Sequence, residues 1–327
     1  MSLNRRDLLK LGAGAGAALV FGRELHGLTP AAFRQQQLMK TIPKSGERIP
    51  GVGLGTASSF SSAARSDEEH AALRGVLSEF TQLGGAVIDT SPSYGTSEQV
   101  IGELIREIGN ADATFMATKM SGGQGRENAM MQMERSVERL RPANIDLNQV
   151  HNLGDWELRL PLLRELKQQG RIRYVGITTS SDGAYDRLAP ILRAEELDFV
   201  QFDYAIDNRN VEQSLLPIAK DRGIATLVNG PFGRTRLFRR ATEAGQAEPP
   251  DWAKEFGANT WAQFFLKWLL GNEAITVVIP ATSDPEHLRD NMGAGLGRVP
   301  NEEERTRMAA LVDSWPQAGG RGRGRGG

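Results

Sequence analysis

A (β/α)8 barrel is the fold class this sequence predicts, and two observations predict it. Short buried-strand runs alternate with stretches of helical period, giving eight strands each followed by a helix between Val52 and the neighbourhood of Pro285. The repeating part also has the length such a barrel needs, about 250 residues. A doubly wound open sheet would show fewer strands and a glycine-rich first turn. Neither is present.

The elements follow in order. Residues 39–50 read as a β-hairpin turned by Lys44-Ser45-Gly46. Residues 52–56 form the first barrel strand, whose glycines leave room for close approach to the backbone. Its G-x-G spacing is not a dinucleotide fingerprint, because no helix follows at once. Helical periodicity over 68–83 leads to the buried run Ala86-Val87-Ile88, which delivers Asp89 at its carboxyl end. A helix over 98–108, with Val100, Ile101, Leu104 and Ile105 on one face, leads to a strand over 114–119. Helix 128–140 then leads to strand 145–150, helix 157–168 to strand 172–177, and helix 184–193 to strand 199–202. Helix 212–220 precedes strand 224–228, and helix 260–270 precedes strand 275–279. Trp261, Phe264, Phe265, Trp268 and Leu269 recur at i, i+3, i+4 spacing and read as core.

Residues 230–257, the long loop after the seventh strand, carry no convincing element of their own. A loop of that length in a compact domain is functional or disordered. It holds Arg234, Arg236, Arg239 and Arg240, which suit either a phosphate or a solvated basic loop. A helix over 302–312 closes the barrel domain, placed at residues 36–316.

Composition narrows the function. Lys+Arg 39 against Asp+Glu 40 leaves a net charge of -1, so no global charge argues for nucleic acid. The chain has no cysteine, which removes disulfides, thiolate nucleophiles and Cys-based metal sites together. His26, His70, His151 and His287 make no HxxxH or HxH pair, so no metal is expected.

Residues 1–35 read separately. Asn4-Arg5-Arg6-Asp7-Leu8-Leu9-Lys10 precedes a weakly apolar, Gly/Ala-rich run over 11–21, too short for stable membrane insertion. The pair Arg5-Arg6 resembles the twin-arginine (Tat) export signal. Asn4 stands where the usual form has a hydroxyl residue, and Leu8 where it has Phe. That implies a soluble protein of the periplasm or otherwise exported, with the Tat machinery as a partner; a plain amphipathic N-terminus is the alternative. Gly12, Gly14 and Ala17 also satisfy a G-x-G-x-x-A pattern, but no strand precedes them. The Arg/Gly tail, residues 317–327, lacks aromatics and reads as a disordered end rather than a contact for RNA.

Three polar residues stand at the ends of successive strands: Asp89, Lys119 and His151. Tyr94 lies in the loop after Asp89. Alone, Asp89 and Tyr94 would read as a turn cap and a loop aromatic. In a barrel these neighbouring strand ends face one mouth, so the four side chains converge.

The set resembles the tetrad of the aldo-keto reductase superfamily, as do the residues around it. Asp89-Thr90, Tyr94-Gly95 and Ser97-Glu98 match its D-T…Y-G…S-E turn, and Ala117-Thr118-Lys119 its T-K strand end. Asp146 to His151 matches D-x-x-x-x-H; Gly170 to Gly176, Gln201 with Tyr204 and Arg209, and Ile279-Pro280…Asn291 also fall in place. The resemblance runs from Met39 to about Pro316. It implies reduction of an aldehyde or ketone to an alcohol, with NADP(H) expected ahead of NAD(H).

A phenol is a poor acid at neutral pH unless its anion is stabilised. Lys119 near Tyr94 would lower the phenol's pKa, Asp89 would hold the ammonium, and His151 would polarise the substrate oxygen. The cofactor set implied by the resemblance begins with Gly55 and Thr56, and places Thr178, Thr179 and Gln201 at the carboxamide. It continues through Asn229, Pro231, Phe232, Gly233 and Arg234, and ends with Thr282, Ser283, His287 and Asn291 for the adenine-side phosphates. Three departures from the family stand out. Asn229 replaces an aromatic that stacks on the nicotinamide, Thr178-Thr179 replace Ser-Asn, and neither Ala281 nor His287 offers a permanent charge to a 2′-phosphate. A non-catalytic nicotinamide-binding or regulatory barrel is the alternative reading.

Overall fold

The computed structural model describes residues 28–62, 66–121 and 125–316. The hairpin is present as β1 (Met39–Thr41) paired antiparallel with β2 (Arg48–Pro50). Eight parallel strands follow and neighbour one another in chain order. They are β3 (Leu54–Gly55), β4 (Val87–Asp89), β5 (Phe115–Met120) and β6 (Ile145–Val150), then β7 (Tyr174–Thr178), β8 (Phe199–Asp203), β9 (Ala225–Asn229) and β10 (Val277–Val278).

The ring closes between β3 and β10. Gly53 N–H donates to Val278 O at 2.8 Å, Val278 N–H to Gly51 O at 2.9 Å, and Gly55 N–H to Pro280 O at 3.0 Å. A Cβ on Gly55 would lie 2.7 Å from Ile279 O, so the first strand's glycine admits the chain's own last strand.

The helices begin with α1 (Pro30–Gln35), α2 (Asp67–Gln82), α3 (Ser97–Ile108), α4 (Gly125–Leu140) and α5 (Trp156–Gln168). They continue with α6 (Tyr185–Ala194), α7 (Leu215–Asp221), α8 (Arg236–Glu243), α9 (Trp261–Leu270), α10 (Pro285–Gly293) and α11 (Glu302–Asp313). Their apolar faces pack on the outside of the ring. Every residue of α9 is buried, including Gln263 and Lys267, which bond Asp290 Oδ1 at 2.8 Å and Leu296 O at 2.6 Å.

Inside the ring, Val87, Phe115, Leu147, Tyr174, Phe199 and Leu227 form a separate cluster. Ile42 and Ile49 of the hairpin join it, so the hairpin stoppers the end where the strands start. Along each strand alternate residues point inward. Two residues beyond Val87, Ala117, Leu147 and Phe199 the inward positions become Asp89, Lys119, Gln149 and Gln201. The apolar filling therefore gives way to a polar layer at the carboxyl ends.

Three segments differ from the sequence reading. Residues 230–257 are not structureless: they contain α8 and a 3-10 turn, Asp251–Phe256. The buried face of α8 is Leu237, Arg240 and Ala241, so an arginine stands where periodicity looks for an apolar residue. The helix expected over 212–220 is split into a 3-10 turn, Asn210–Gln213, and α7. Residues 28–35, read as part of the linker, hold α1, whose Phe33 is wholly buried. The twin-arginine segment (residues 1–27 of the leader) and the tail 317–327 lie outside the described residues. Among the described residues no helix is long and apolar enough to cross a membrane, and no group of His, Asp and Glu is arranged to hold a metal ion.

Candidate active site

The polar layer is organised by Asp89. Its carboxylate accepts from Lys119 Nζ at 2.6 Å, from Gln201 Nε2 at 3.2 Å and from Gln149 Nε2 at 3.3 Å. Lys119 Nζ also donates to Thr90 O at 2.8 Å. The Lys119 and Asp89 side chains are only 1% and 4% exposed, so water does little to screen the pair. Burial presses the ammonium toward its neutral form, but Asp89 and then Tyr94 outweigh it and hold the Lys119 pKa above the ordinary lysine value.

Tyr94 reaches this pair from the turn after β4. Thr56 Oγ1 donates to Asp89 O at 2.9 Å, Ser97 Oγ donates to Thr56 Oγ1 at 2.9 Å, and Thr118 Oγ1 donates to Glu98 Oε1 at 2.7 Å. Ser97-Glu98, the last pair of the motif read from the sequence, thus ties α3 to the ends of β3, β4 and β5. Gly95 has φ +58°, and a Cβ there would meet Ser61 O at 2.1 Å. No other residue type could follow Tyr94 without moving it. The result places Lys119 Nζ 5.0 Å from the Tyr94 ring centre, and the His151 ring edge-on to Tyr94 at 5.8 Å and 83°.

The electrostatics correct one expectation. The Tyr94 pKa is raised rather than lowered: burial is the largest influence, Lys119 pulls downward against it, and Asp89 adds to the rise. The lysine acts in the expected direction and is outweighed by desolvation. His151 is pushed down to about 4 by burial first, then by Lys119 and Arg159, so its imidazole is neutral at physiological pH.

A cavity of about 670 Å³ opens over these groups, and Asp89, Tyr94 and His151 line it. Of the sequence-predicted cofactor residues, Gly55, Thr56, Thr178, Gln201, Asn229, Pro231, Phe232 and Arg234 also line it. Thr179 lies behind, with its carbonyl accepting from Asn229 Nδ2 at 3.0 Å. Gly233 turns the backbone at φ +56° between Phe232 and Arg234. Thr282, Ser283, His287 and Asn291 follow Ala281 at the rim and are not brought into the cavity. There Asp284 caps α10, accepting from Glu286 N–H at 2.8 Å, while His287 is exposed.

The four loop arginines do not converge on one spot. Arg236 Nη2 and Arg240 Nη1 bond the Asp207 carboxylate at 2.8 and 2.9 Å, and Arg240 Nη2 also donates to Val312 O at 2.9 Å. Arg239 lies beside Glu243 at 4.0 Å, and Arg234 Nη2 donates to Ser180 O at 3.1 Å. Arg240 is therefore a buried clamp between the loop and the C-terminal helix, and Arg234 alone of the four lines the cavity.

The sequence reading missed Gln149 and the serines of the turn. Gln149 shares the inward register of Leu147 and could have been found by counting two residues along β6. Ser91 Oγ and Ser93 Oγ lie 3.4 and 3.3 Å from His151 Nδ1, a contact across sixty and fifty-eight residues of chain with no sequence signal. Asn152, Arg234 and Thr235, all lining the cavity, have φ of 50°, 53° and 74°. Left-handed backbone at non-glycine residues collects at functional sites.

The profile described as "Aldo/keto reductase family" matches residues 51–312. The aldo-keto reductase YhdN of Bacillus subtilis is 30% identical over 225 residues, covering 64% of this chain and 67% of YhdN. Pyridoxine 4-dehydrogenase of Escherichia coli is 29% identical over 248 residues, covering 69% of this chain and 82% of the enzyme. Among solved structures, the holo form of aldo-keto reductase AKR11C1 from Bacillus halodurans superposes with TM-score 0.69 at 20% identity, over 88% of this chain and 99% of that one. An aldo/keto reductase from Klebsiella pneumoniae, in complex with NADP and acetate, superposes with TM-score 0.66 at 24% identity, over 87% and 98%. The chain belongs to the aldo/keto reductase family of NAD(P)-dependent oxidoreductases.

Proposed function

We propose that this protein reduces an aldehyde or ketone to the alcohol, with Tyr94 as the general acid. The observation that carries the reading is the buried Lys119–Asp89 pair set beside Tyr94 and His151 under one cavity. Tyr94 gives its proton to the carbonyl oxygen as charge develops there. Lys119 lies close enough to stabilise the phenolate left behind, and Asp89, held by Gln149 and Gln201, keeps the ammonium in place. His151 stays neutral and offers an N–H to the same oxygen, which orients and polarises the carbonyl. A charged imidazolium beside Lys119 would repel it.

The residues present fit a nicotinamide. Gln201 spends its amide nitrogen on Asp89, and its Oε1 is buried without a hydrogen-bond partner. A carboxamide N–H is the donor that oxygen lacks. Thr178 and Asn229 flank it, and Pro231, Phe232 and Arg234 would cover the rest of the cofactor. When bound, the nicotinamide supplies the hydride.

NADP(H) is the first choice, supported by the names of relatives: the Klebsiella pneumoniae proteins were solved with NADP and with NADPH, and the name of aldo-keto reductase yakc of Schizosaccharomyces pombe carries NADP(+). One observation favours NAD(H) instead. Asp284 and Glu286 bring negative charge to the start of α10, where the turn would meet the adenine-side phosphates. Wild-type turnover of a carbonyl panel with NADPH and with NADH tests both readings. Consumption of either cofactor only when a carbonyl is present is expected, with NADPH the faster. No carbonyl-dependent consumption with either would end the reductase reading, and faster NADH would reverse the cofactor choice.

The run from Asn4 to Lys10 and the short apolar stretch after it support export by the twin-arginine route. That route carries folded proteins, so the enzyme would leave the cytoplasm with its nicotinamide already bound.

A further inference from the structure

Ser91 and Ser93 flank Pro92 in the turn that carries Tyr94, and both hydroxyls face His151. Ser91 is wholly buried. Its Oγ accepts from Ser93 N–H at 3.2 Å, and lies 2.9 Å from Ser93 Oγ and 3.4 Å from His151 Nδ1. Ser93 Oγ lies 3.3 Å from the same nitrogen. The buried Ser91 hydrogen therefore has two destinations. Given to His151, it reaches Nδ1 directly. Given to Ser93, it occupies one acceptor site of that oxygen and frees the Ser93 hydrogen for Nδ1 or for solvent, since Ser93 is exposed. Two hydroxyls, one of them wholly buried, thus stand ready to donate to the same ring nitrogen, and a neutral imidazole that accepts at Nδ1 carries its own hydrogen on Nε2.

We infer that Ser91 and Ser93 are positioning residues that hold His151 as the Nε2–H tautomer, so that the nitrogen turned away from the serines donates to the substrate oxygen. The inference rests on reading His151 as the group that orients the carbonyl. Pro92 fixes the backbone between the two serines, which sets their spacing before substrate arrives. Without them the ring could carry its hydrogen on either nitrogen. In the Nδ1–H form the nitrogen left for the substrate would be an acceptor facing another acceptor.

The test uses the full-length protein labelled with ring-15N histidine, with the His151 signals identified by their loss in His151→Gln. At neutral pH the wild type is expected to show a protonated Nε2 and a bare Nδ1. In Ser91→Ala and Ser91→Ala/Ser93→Ala the two shifts should move toward each other, further in the double variant. A merely structural role for the serines would leave that pattern alone. The double variant should also lose roughly 3- to 10-fold in kcat/KM, the scale of one neutral hydrogen bond. A wild-type ring protonated on Nδ1 overturns the inference, as does a wild-type pattern surviving in the variants. If the double variant does not fold, the single one decides. A tautomer that moves as expected in a protein without carbonyl turnover would sink the proposed reaction and leave the serine inference standing.

Discussion

Replacing Lys119 with methionine keeps most of the side-chain volume and removes the charge that the site is built around. The Asp89 partner then retains only the Gln149 and Gln201 amides, at 3.3 and 3.2 Å, in place of a 2.6 Å ammonium contact. Because the pair is 1% and 4% exposed, the cost is that of an abandoned buried charge, about 3–5 kcal/mol. For a domain of this size that lowers the thermal midpoint by roughly 5–9 °C. Losing the group that stabilises the Tyr94 anion should cost about 100- to 1000-fold in kcat. The double variant Asp89→Leu/Lys119→Met separates the two effects, because a neutral apolar pair restores stability to within about 2 kcal/mol of wild type. Calorimetry and steady-state reduction of a common aldehyde would read both quantities. Lys119→Met melting with the wild type would refute the buried-pair argument. Turnover regained in the double variant would refute the role of the ammonium.

Two other outcomes follow from the sequence and the site. With His151 lowered to about 4 and Tyr94 raised above the ordinary phenol value, neither group changes charge between about pH 5 and pH 9. Reduction needs the protonated phenol, so kcat should be level across that range and fall only above about pH 10; a break near the ordinary histidine value in the pH–rate profile would contradict this. For export, cell fractionation should find the wild type in the periplasm and Arg5→Lys/Arg6→Lys in the cytoplasm, whereas wild type found in the cytoplasm would end the twin-arginine reading.

The barrel was legible because its strands are buried on both faces and its helices are amphipathic, which leaves a periodic trace in the residues. Asp89 was legible because it ends the apolar run Ala86-Val87-Ile88, and Lys119 and His151 because they stand at or just past the next two strand ends, where neighbouring side chains face one mouth. Gln149 hid because it sits inside β6 among other polar residues, and only the inward register gives it away. Arg240 hid because an arginine on a buried helix face looks like solvated charge until Asp207 and the C-terminal carbonyls are brought to it. The direction of the Tyr94 pKa depends on how deeply the ring is covered, and no local spacing encodes depth. Thr282 and Ser283 share a turn with the cavity's edge, and His287 and Asn291 follow on α10; all four lie beyond the cavity, a distinction that rests on where the rim ends.

Comparing Tyr94→Phe with wild type tests the phenol as proton donor most directly, because the substitution removes one oxygen and leaves the ring beside His151. Single-turnover and steady-state reduction should fall by about 100- to 10,000-fold while nicotinamide binding, followed by tryptophan fluorescence, is unchanged. A variant that reduces the same carbonyl at the wild-type rate would show that the proton comes from elsewhere.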